Sequence, residues 1–198
     1  ENGSRYYVGQ HGHGYFNERH FHPKTEQETA DKFLTWGNNK NKSSKYVPMF
    51  NFKTAGKLNR FNKKGGLLLI ERPHNVRYLP WDEHYQFLNY FEEQKKFVNH
   101  LSEEPKKKLT IRLSKSEASK KFNESCRWFD FDRSLNIDNG KISINQLIAK
   151  NRLVVHAYDS TGILETLSQN IPTLAYWQNR FDHLLDDVKP DYQKLVDA

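Results

Sequence analysis

Short apolar runs alternate with amphipathic stretches along most of the chain. The runs have the length and composition of buried strands, and most of the stretches between them carry apolar residues at helical spacing. Such alternation is typical of a parallel sheet covered by helices. The pattern therefore predicts an α/β fold, with a Rossmann-like, mainly parallel sheet of about six strands and helices on both faces. The predicted strands lie near Tyr6, Phe33, Leu67, Leu109, Leu153 and Leu174.

The clearest strand-helix-strand unit lies between Arg152 and Trp177. Residues 153–155 and 173–177 have the apolar, partly β-branched composition of buried strands. The segment between them has the apolar spacing of a helix, which Ser160 or the residue before it can cap. A parallel βαβ unit is therefore predicted here.

The turn from the first of these strands into the helix is the strongest candidate for a ligand site. Its residues are small and hydroxylated, so backbone N–H groups and the positive end of the helix dipole would attract an anion. Ser160, Thr161 and Gly162 would then bind a phosphate, and Glu165, one turn further on, a ribose or sugar hydroxyl. A plain helix cap at Ser160 with a solvated Glu165 explains the same sequence equally well.

A second candidate site follows the first predicted strand, where residues 9–15 read Gly-Gln-His-Gly-His-Gly-Tyr. Glycines let backbone N–H groups approach a ligand, and open α/β sheets bind ligands at the carboxyl ends of their strands. Gln10, His11 and Gly12 are therefore candidate ligand residues, with an incidental loop as the plainer alternative. No metal is expected, because the histidines of this region lack a zinc spacing; they are His11, His13, His20 and His22.

Two further polar residues stand at predicted strand ends. Arg112 can grip a phosphate or a sugar carboxylate through two N–H groups, and a surface arginine is the even alternative. His156 follows two buried valines, so core packing and ligand contact are equally good interpretations. Because the carboxyl ends of parallel strands share one edge of a sheet, the predicted fold collects all these side chains at one site.

One region of the chain is strongly basic. The formal net charge is +7, and residues 33–70 contain no Asp or Glu but eight Lys or Arg residues. A basic loop excursion over about residues 38–64 is predicted, most simply as a solvated loop. Contact of the Lys40 to Lys64 stretch with an acceptor or an anionic membrane surface is the second interpretation, and nucleic-acid binding the third.

Length and cysteine content set further bounds. A chain of 198 residues suits one α/β domain, so residues 1–198 are predicted to form a single domain. The single cysteine, Cys126, excludes an internal disulfide and fits a reducing, cytoplasmic compartment. Apolar runs are too short to span a bilayer. The first residue is Glu, so the chain is expected to be a piece of a longer protein.

The predicted turn and helix carry the motif Ser160-Thr-x3-Glu165-x-Leu-x3-Ile-Pro-Thr173. The motif resembles the donor-site segment of GT-B glycosyltransferases, where a strand, a small-residue turn, a Glu-bearing helix and a Pro turn recur in the C-terminal domain. More closely, the chain resembles the transferases of bacterial surface-carbohydrate biosynthesis. The matching pieces lie at residues 9–12, 30–37, 110–113 and 138–177.

The resemblance implies the C-terminal, nucleotide-sugar-binding half of a GT-B-like enzyme that builds a surface polysaccharide, a lipopolysaccharide or a lipid-linked glycan. The N-terminal domain and the catalytic base are then expected outside this chain, with His11 as the candidate base inside it. No cofactor is implied beyond the nucleotide-sugar substrate. His11 and Arg112 would neutralise charge on the leaving nucleotide. The implied donor-binding residues are Gln10, His11, Gly12, Arg112, His156, Ser160, Thr161, Gly162 and Glu165.

Two other function classes fit the same residues. A non-catalytic module that binds a nucleotide or sugar phosphate would use the same anion site. A nucleic-acid-binding protein would use the basic stretch at 40–64 with its aromatic residues. The Glu-x7-Glu signature of many retaining GT-B enzymes is incomplete, because Ala157 stands eight residues before Glu165, so the stereochemical outcome is not predicted.

Overall fold

A computed structural model describes residues 3–19, 24–37, 43–59, 62–73, 87–115, 120–178 and 180–197. The chain divides into two compact units. The first unit is Glu1–Lys57 together with Asn179–Ala198, and the second unit is Leu58–Gln178. Several residues of the predicted histidine-containing region and basic stretch lie outside the described residues: His20, His22, Lys40, Lys42 and Arg60.

The first unit is built on a three-stranded parallel sheet in the order β1-β2-β3. Phe33 of the central strand is fully buried and packs against the rings of Tyr15, Phe16 and Tyr46, with centroids 5.5 to 6.1 Å away. An aromatic core therefore holds this small unit together. Its elements are β1 (Tyr7–Gly9), a 3₁₀ turn (His13–Tyr15), α1 (Lys24–Thr29), β2 (Lys32–Trp36), β3 (Tyr46–Met49) and, near the end of the chain, α7 (Lys189–Val196).

The second unit contains a five-stranded parallel sheet in the order β6-β5-β4-β7-β8. Counted along this unit alone, the order is 3-2-1-4-5, which is that of doubly wound α/β sheets. The strands are β4 (Gly66–Ile70), β5 (Leu109–Arg112), β6 (Asn136–Asp138), β7 (Asn151–His156) and β8 (Thr173–Ala175). The helices are α2 (Phe87–His100), α3 (Glu103–Lys107), α4 (Glu124–Phe131), α5 (Ile144–Lys150) and α6 (Thr161–Ser168).

Alternating side chains on the central strands explain why helices cover both faces of this sheet. Leu67 and Leu69 of β4, with Val155 of β7, belong to a core that includes apolar residues of α2 and α4. Leu68 and Val154 belong to a second core, which includes residues of α5. Because successive residues of a strand face opposite sides, an unbroken apolar run such as that of β4 requires cover on both.

Two adjacent glycines allow β4 to enter the centre of the sheet. A Cβ on Gly65 would lie 2.6 Å from the carbonyl oxygen of Lys150, and a Cβ on Gly66 would lie 2.1 Å from that of Lys108. These carbonyl groups belong to the segments that lead into β7 and β5. The close approach of the backbones therefore excludes any side chain at the start of β4.

The predicted α/β class, with parallel sheets flanked by helices, is confirmed. All six predicted strands form, but two of them lie in the first unit's sheet and four in the second's, rather than all in one sheet. Strand β3 lies inside the predicted basic loop, and β6 lies in a predicted turn. Strand β3 contains Pro48, and β6 begins with Asn136 and ends with Asp138, residue types that are depleted in strands. No helix among the described residues is long and apolar enough to cross a membrane.

Candidate functional site

The centre of the five-stranded sheet is a topological switch point. The chain continues from β4 to β5 and β6 on one side, and from β7 to β8 on the other. Connections that leave the neighbouring strands β4 and β7 in opposite directions open a crevice between the carboxyl ends of these two strands. Doubly wound sheets bind ligands in such a crevice. Glu71 and Arg72 follow β4 at this edge, and the residues from Ala157 to Ser160 lead from β7 directly into α6.

His156, the last residue of β7, is 2% exposed and connects this strand to α6. Its Nε2 lies 3.3 Å from the Thr166 hydroxyl, and its Nδ1 lies 3.4 Å from the Ser160 hydroxyl. The Thr166 hydroxyl donates to backbone carbonyls of α6, so it accepts from Nε2–H, and Ser160 donates to Nδ1. Burial lowers the pKa of His156 to about 4, so the ring is neutral. The geometry is that of a core histidine.

The predicted anion-binding turn lies at the start of α6, at the edge of the sheet. Ser160 is the N-cap residue, but its buried hydroxyl faces His156 and makes no capping hydrogen bond. Thr161 and Gly162 begin the helix, and Glu165 lies one turn later, half-buried. The first N–H groups of a helix lack acceptors within the helix, so the backbone of this turn, rather than the Ser160 hydroxyl, offers donors to an anion.

Arg112, the last residue of β5, forms an ion pair with Asp138, the last residue of the neighbouring β6. Asp138 also accepts hydrogen bonds of 3.2 Å from the backbone N–H groups of Gly140 and Ile142. Burial alone would raise the pKa of Asp138, but the Arg112 and backbone hydrogen bonds lower it below its ordinary value. The predicted phosphate-binding guanidinium therefore has a fixed counter-charge, which lies 26 residues away in sequence.

A buried carboxyl group, which is not among the site residues predicted from the sequence, follows β4. Glu71 is 3% exposed and accepts a 3.1 Å hydrogen bond from the indole N–H of Trp128. Burial, followed by the negative charge of Glu124, raises the pKa of Glu71 to about 8, although the Trp128 hydrogen bond opposes this. The neighbouring Arg72 donates its backbone N–H to the Tyr90 hydroxyl. The feature of the sequence that indicates this carboxyl group is the position of Glu71 and Arg72 directly after the apolar residues of β4.

The remaining predicted site residues lie in the first unit, in the glycine-rich turn after β1. The side-chain N–H of Gln10 donates to the carbonyl of Gly12 at 2.8 Å, and its side-chain oxygen accepts from the backbone N–H of Trp36 at 2.9 Å. Gln10 thus ties the turn to the end of β2, whereas His11 is exposed. The predicted residues form two groups: Gln10, His11 and Gly12 in the first unit, and Arg112, His156, Ser160, Thr161, Gly162 and Glu165 in the second.

Two residues of types that can bind metal ions, His13 and Cys126, lie in different units of the chain. His13 lies on the 3₁₀ turn, with its Nε2 3.1 Å from a carboxylate oxygen of Glu18. Cys126 is an exposed free thiol on α4. Across the part of the chain that the structure describes, no three His, Cys, Asp or Glu side chains are arranged to hold a metal ion.

A solved structure has a fold similar to that of this chain. The crystal structure of TarM matches with a TM-score of 0.51 and 12% sequence identity, over 98% of this chain and 44% of TarM. A mutant of S. aureus TarM in complex with Fondaparinux, alpha-GlcNAc-glycerol and UDP matches with a TM-score of 0.48 and 12% identity, over 97% of this chain and 44% of that one. At this identity the likeness concerns the fold, and the chain spans less than half the length of TarM.

Sequence comparisons place the chain in a family. No curated protein matches the sequence. The model of the LIC12162 family transferases matches residues 1–198, and so includes both units and both groups of predicted site residues. Because this match extends over the full length of the chain, the protein belongs to the LIC12162 family of transferases.

Proposed function

We propose that the second unit binds the nucleotide-sugar donor of a glycosyltransferase, which transfers the sugar to a surface polysaccharide or a lipid-linked glycan. The observation that carries this proposal is the start of α6 at the switch point between β4 and β7. Backbone N–H groups and the helix dipole at that position favour a phosphate group. Membership of a transferase family, and the fold shared with the glycosyltransferase TarM, support transfer rather than simple binding.

Each polar group at this edge has a role in the proposed donor complex. The backbone N–H groups of Thr161 and Gly162 bind a donor phosphate, and the Glu165 carboxylate accepts a hydrogen bond from a ribose or sugar hydroxyl. Arg112, which is paired with Asp138, fixes the end of β5 beside the donor rather than supplying a free positive charge. His156 and Ser160 stabilise the turn, because their side chains are hydrogen-bonded to each other and the other ring nitrogen of His156 is hydrogen-bonded to Thr166.

The glycine-rich turn of the first unit is the second element that we assign to substrate binding. Gln10 acts by shaping this turn, because its amide bonds Gly12 and Trp36. His11 is the side chain of the turn that is accessible to a ligand, with 69% of its surface exposed.

We also propose that the enzyme works in the cytoplasm, at the inner face of the plasma membrane. Lipid-linked acceptors lie at that surface, and the basic stretch between Lys40 and Lys64 would be attracted to anionic lipids. This contact requires exposed basic side chains, and four lysines of the stretch are exposed: Lys53, Lys57, Lys63 and Lys64. Because the chain spans 44% of TarM, we assign the remaining substrate contacts to further parts of the enzyme.

A thermal-shift screen against CMP, CDP, UDP, GDP and their sugar conjugates tests the donor site, with calorimetry for any ligand that raises the midpoint of unfolding. Two substitutions at Thr161 separate backbone from side chain. Thr161→Val removes only the hydroxyl, whereas Thr161→Pro also removes the N–H. Proline is tolerated at the first position of a helix, and Ser160 before it is already extended, with φ −145° and ψ 153°.

One nucleotide is expected to stabilise the protein. Thr161→Pro should weaken its binding by roughly ten- to a hundredfold, as expected for the loss of one hydrogen bond to a charged group. Thr161→Val should bind within a few-fold of the wild type. The proposal fails if no nucleotide binds, or if the proline variant binds as tightly as the valine variant. If the protein together with the further parts assigned above binds a nucleotide tightly but transfers no sugar, a non-catalytic binding module is indicated instead.

A further inference from the structure

Two phenylalanine rings lie side by side on the surface of the first unit. Phe50 directly follows β3 and is 54% exposed, and Phe52 is 47% exposed. The centroids of the two rings are 5.0 Å apart, and the ring planes are inclined at 60°. Exposed apolar side chains that cluster, rather than standing singly, mark interaction surfaces. This pair is therefore a candidate contact surface.

The turn that carries the rings is already folded. The backbone N–H of Lys53 donates to Oδ1 of Asn51 at 3.0 Å. The backbone N–H of Thr54 donates to the carbonyl of Asn51 at 3.2 Å, and Thr54 is 6% exposed. The ring of Phe52 lies against the end of β1, since a Cβ on Gly9 would be 3.6 Å from it. Because the rings are held in place, binding through them requires little ordering of the chain.

The charges that accompany the rings along the chain are positive. Lys53 and Lys57 belong to the same turn and are exposed, and the Lys57 ammonium group donates to the carbonyl of Lys53 at 2.8 Å. Residues 33–70 contain no Asp or Glu. Apolar rings beside lysines match a membrane that contains anionic lipids, because ammonium groups meet the headgroups while the rings reach the boundary with the acyl chains.

The packing of the two rings favours a membrane over a nucleic acid. A base stacks on an open aromatic face. In the tilted pair formed by Phe50 and Phe52, the edge of one ring covers part of the face of the other. Contact with lipid depends on apolar area and has no preferred direction, so this arrangement does not hinder it.

We infer that Phe50 and Phe52 insert at the boundary between the headgroups and acyl chains of an anionic membrane, with Lys53 and Lys57 at the level of the headgroups. The inference rests on the membrane contact in the proposed function, and it adds an apolar anchor to the electrostatic attraction described there. The two contributions respond differently to salt, which screens the lysines but does not weaken the burial of the rings.

Flotation of the 198-residue chain with vesicles of phosphatidylglycerol and phosphatidylcholine, at low and at high salt, tests the inference. The wild type is expected to bind, more weakly at high salt. Phe50→Ala/Phe52→Ala should weaken binding roughly tenfold or more at either salt concentration, because two half-exposed rings no longer insert. Lys53→Gln/Lys57→Gln should weaken binding by roughly tenfold at low salt and have little effect at high salt.

Two matched variants are controls. Phe129→Ala removes a phenylalanine of the second unit that is 41% exposed, and Lys194→Gln removes an exposed lysine that pairs with Asp191. Neither should change vesicle binding. Phe50→Trp gives a second readout, which does not require the alanine variants to fold. Lipids brominated in their acyl chains should quench its fluorescence more strongly than that of the wild type.

The inference is overturned if the double alanine variant binds vesicles as tightly as the wild type, or if brominated lipids quench Phe50→Trp no more than the wild type. Dimers of the wild type that the alanine substitutions dissociate, or oligonucleotide binding that they remove, would assign the rings to another partner and overturn it as well. Vesicle binding that depends on the lysines alone would overturn the insertion but support the proposed membrane contact. Absence of vesicle binding would overturn both, while the nucleotide screen still decides the donor site.

Discussion

Gly162 and His156 are in direct contact, at a distance that leaves no room for a side chain between them. A Cβ on Gly162 would lie 2.7 Å from Cε1 and 3.1 Å from Nδ1 of His156, and 3.2 Å from the Ser160 hydroxyl. The first turn of α6 therefore rests directly on the last residue of β7. This close approach brings the N–H groups of the turn to the edge of the sheet, where the proposed donor phosphate binds.

Gly162→Ala should destabilise the protein by about 1–3 kcal/mol, because the added methyl group overpacks against a buried ring. At an ordinary helical position the same substitution would stabilise a helix by up to about 1 kcal/mol. The sign of the change therefore reports the contact with His156. Urea unfolding of the wild type and of Gly162→Ala measures this change in stability.

The companion variant is His156→Ala, which removes the ring that the methyl group would meet. Adding Gly162→Ala in that background should cost little or should stabilise the protein. A Gly162→Ala protein that is more stable than the wild type would contradict the packing described here.

Glu71→Gln should stabilise the protein at pH 7.5 and have little effect at pH 4. The pKa of Glu71 is about 8 in the folded protein, against an ordinary value of 4.5, so the unfolded chain binds fewer protons between these values. The wild-type stability therefore falls as the pH rises from about 4 to about 8. Glutamine keeps an oxygen for the indole N–H of Trp128 but does not ionise, so the gain at pH 7.5 should be on the order of 4 kcal/mol, at about 1.4 kcal/mol for each pH unit above 4.5.

Urea midpoints over this pH range test the Glu71 prediction. Glu92→Gln, on the exposed side of α2, is the matched control and should leave the pH profile unchanged. Equal pH profiles for the wild type and Glu71→Gln would show that Glu71 is ionised in the folded protein.

Arg112→Met should destabilise the protein by about 3 kcal/mol, since it leaves the buried Asp138 carboxylate without its cation. The double variant Arg112→Met/Asp138→Asn should be more stable than the single variant, because the neutral amide does not require a counter-charge. A single variant as stable as the wild type would mean that Arg112 is available to a ligand rather than held by Asp138.

The pattern of apolar runs predicts β4, β5, β7 and β8 of the five-stranded sheet, but not β6, which has the polar residues Asn136 and Asp138 at its ends. Each central run, such as 67–70, is long and apolar enough to be recognised by itself. The pairing of strands is not predictable in the same way. The strands predicted near Tyr6 and Phe33 have a local sequence pattern like that of the other strands. Only tertiary contacts place these two strands in a separate sheet.

At the candidate site, the sequence predicts the turn but not its partners. The small residues from Ser160 to Gly162 and the strand before them are local features, so they are visible in one window of sequence. The pairing of Arg112 with Asp138 and of Glu71 with Trp128 joins residues that are far apart along the chain. Such contacts decide whether a charged group is free for a ligand, and local spacing carries no information about them.

Amide hydrogen exchange, with and without the nucleotide that stabilises the protein most, is the measurement that tests the donor-site proposal most directly. The account predicts slower exchange in bound protein at the start of α6, over residues 160–165, and at the adjoining ends of β4 and β7. Protection confined to the basic stretch at 43–57, with residues 160–165 unchanged, would contradict a donor site at the switch point.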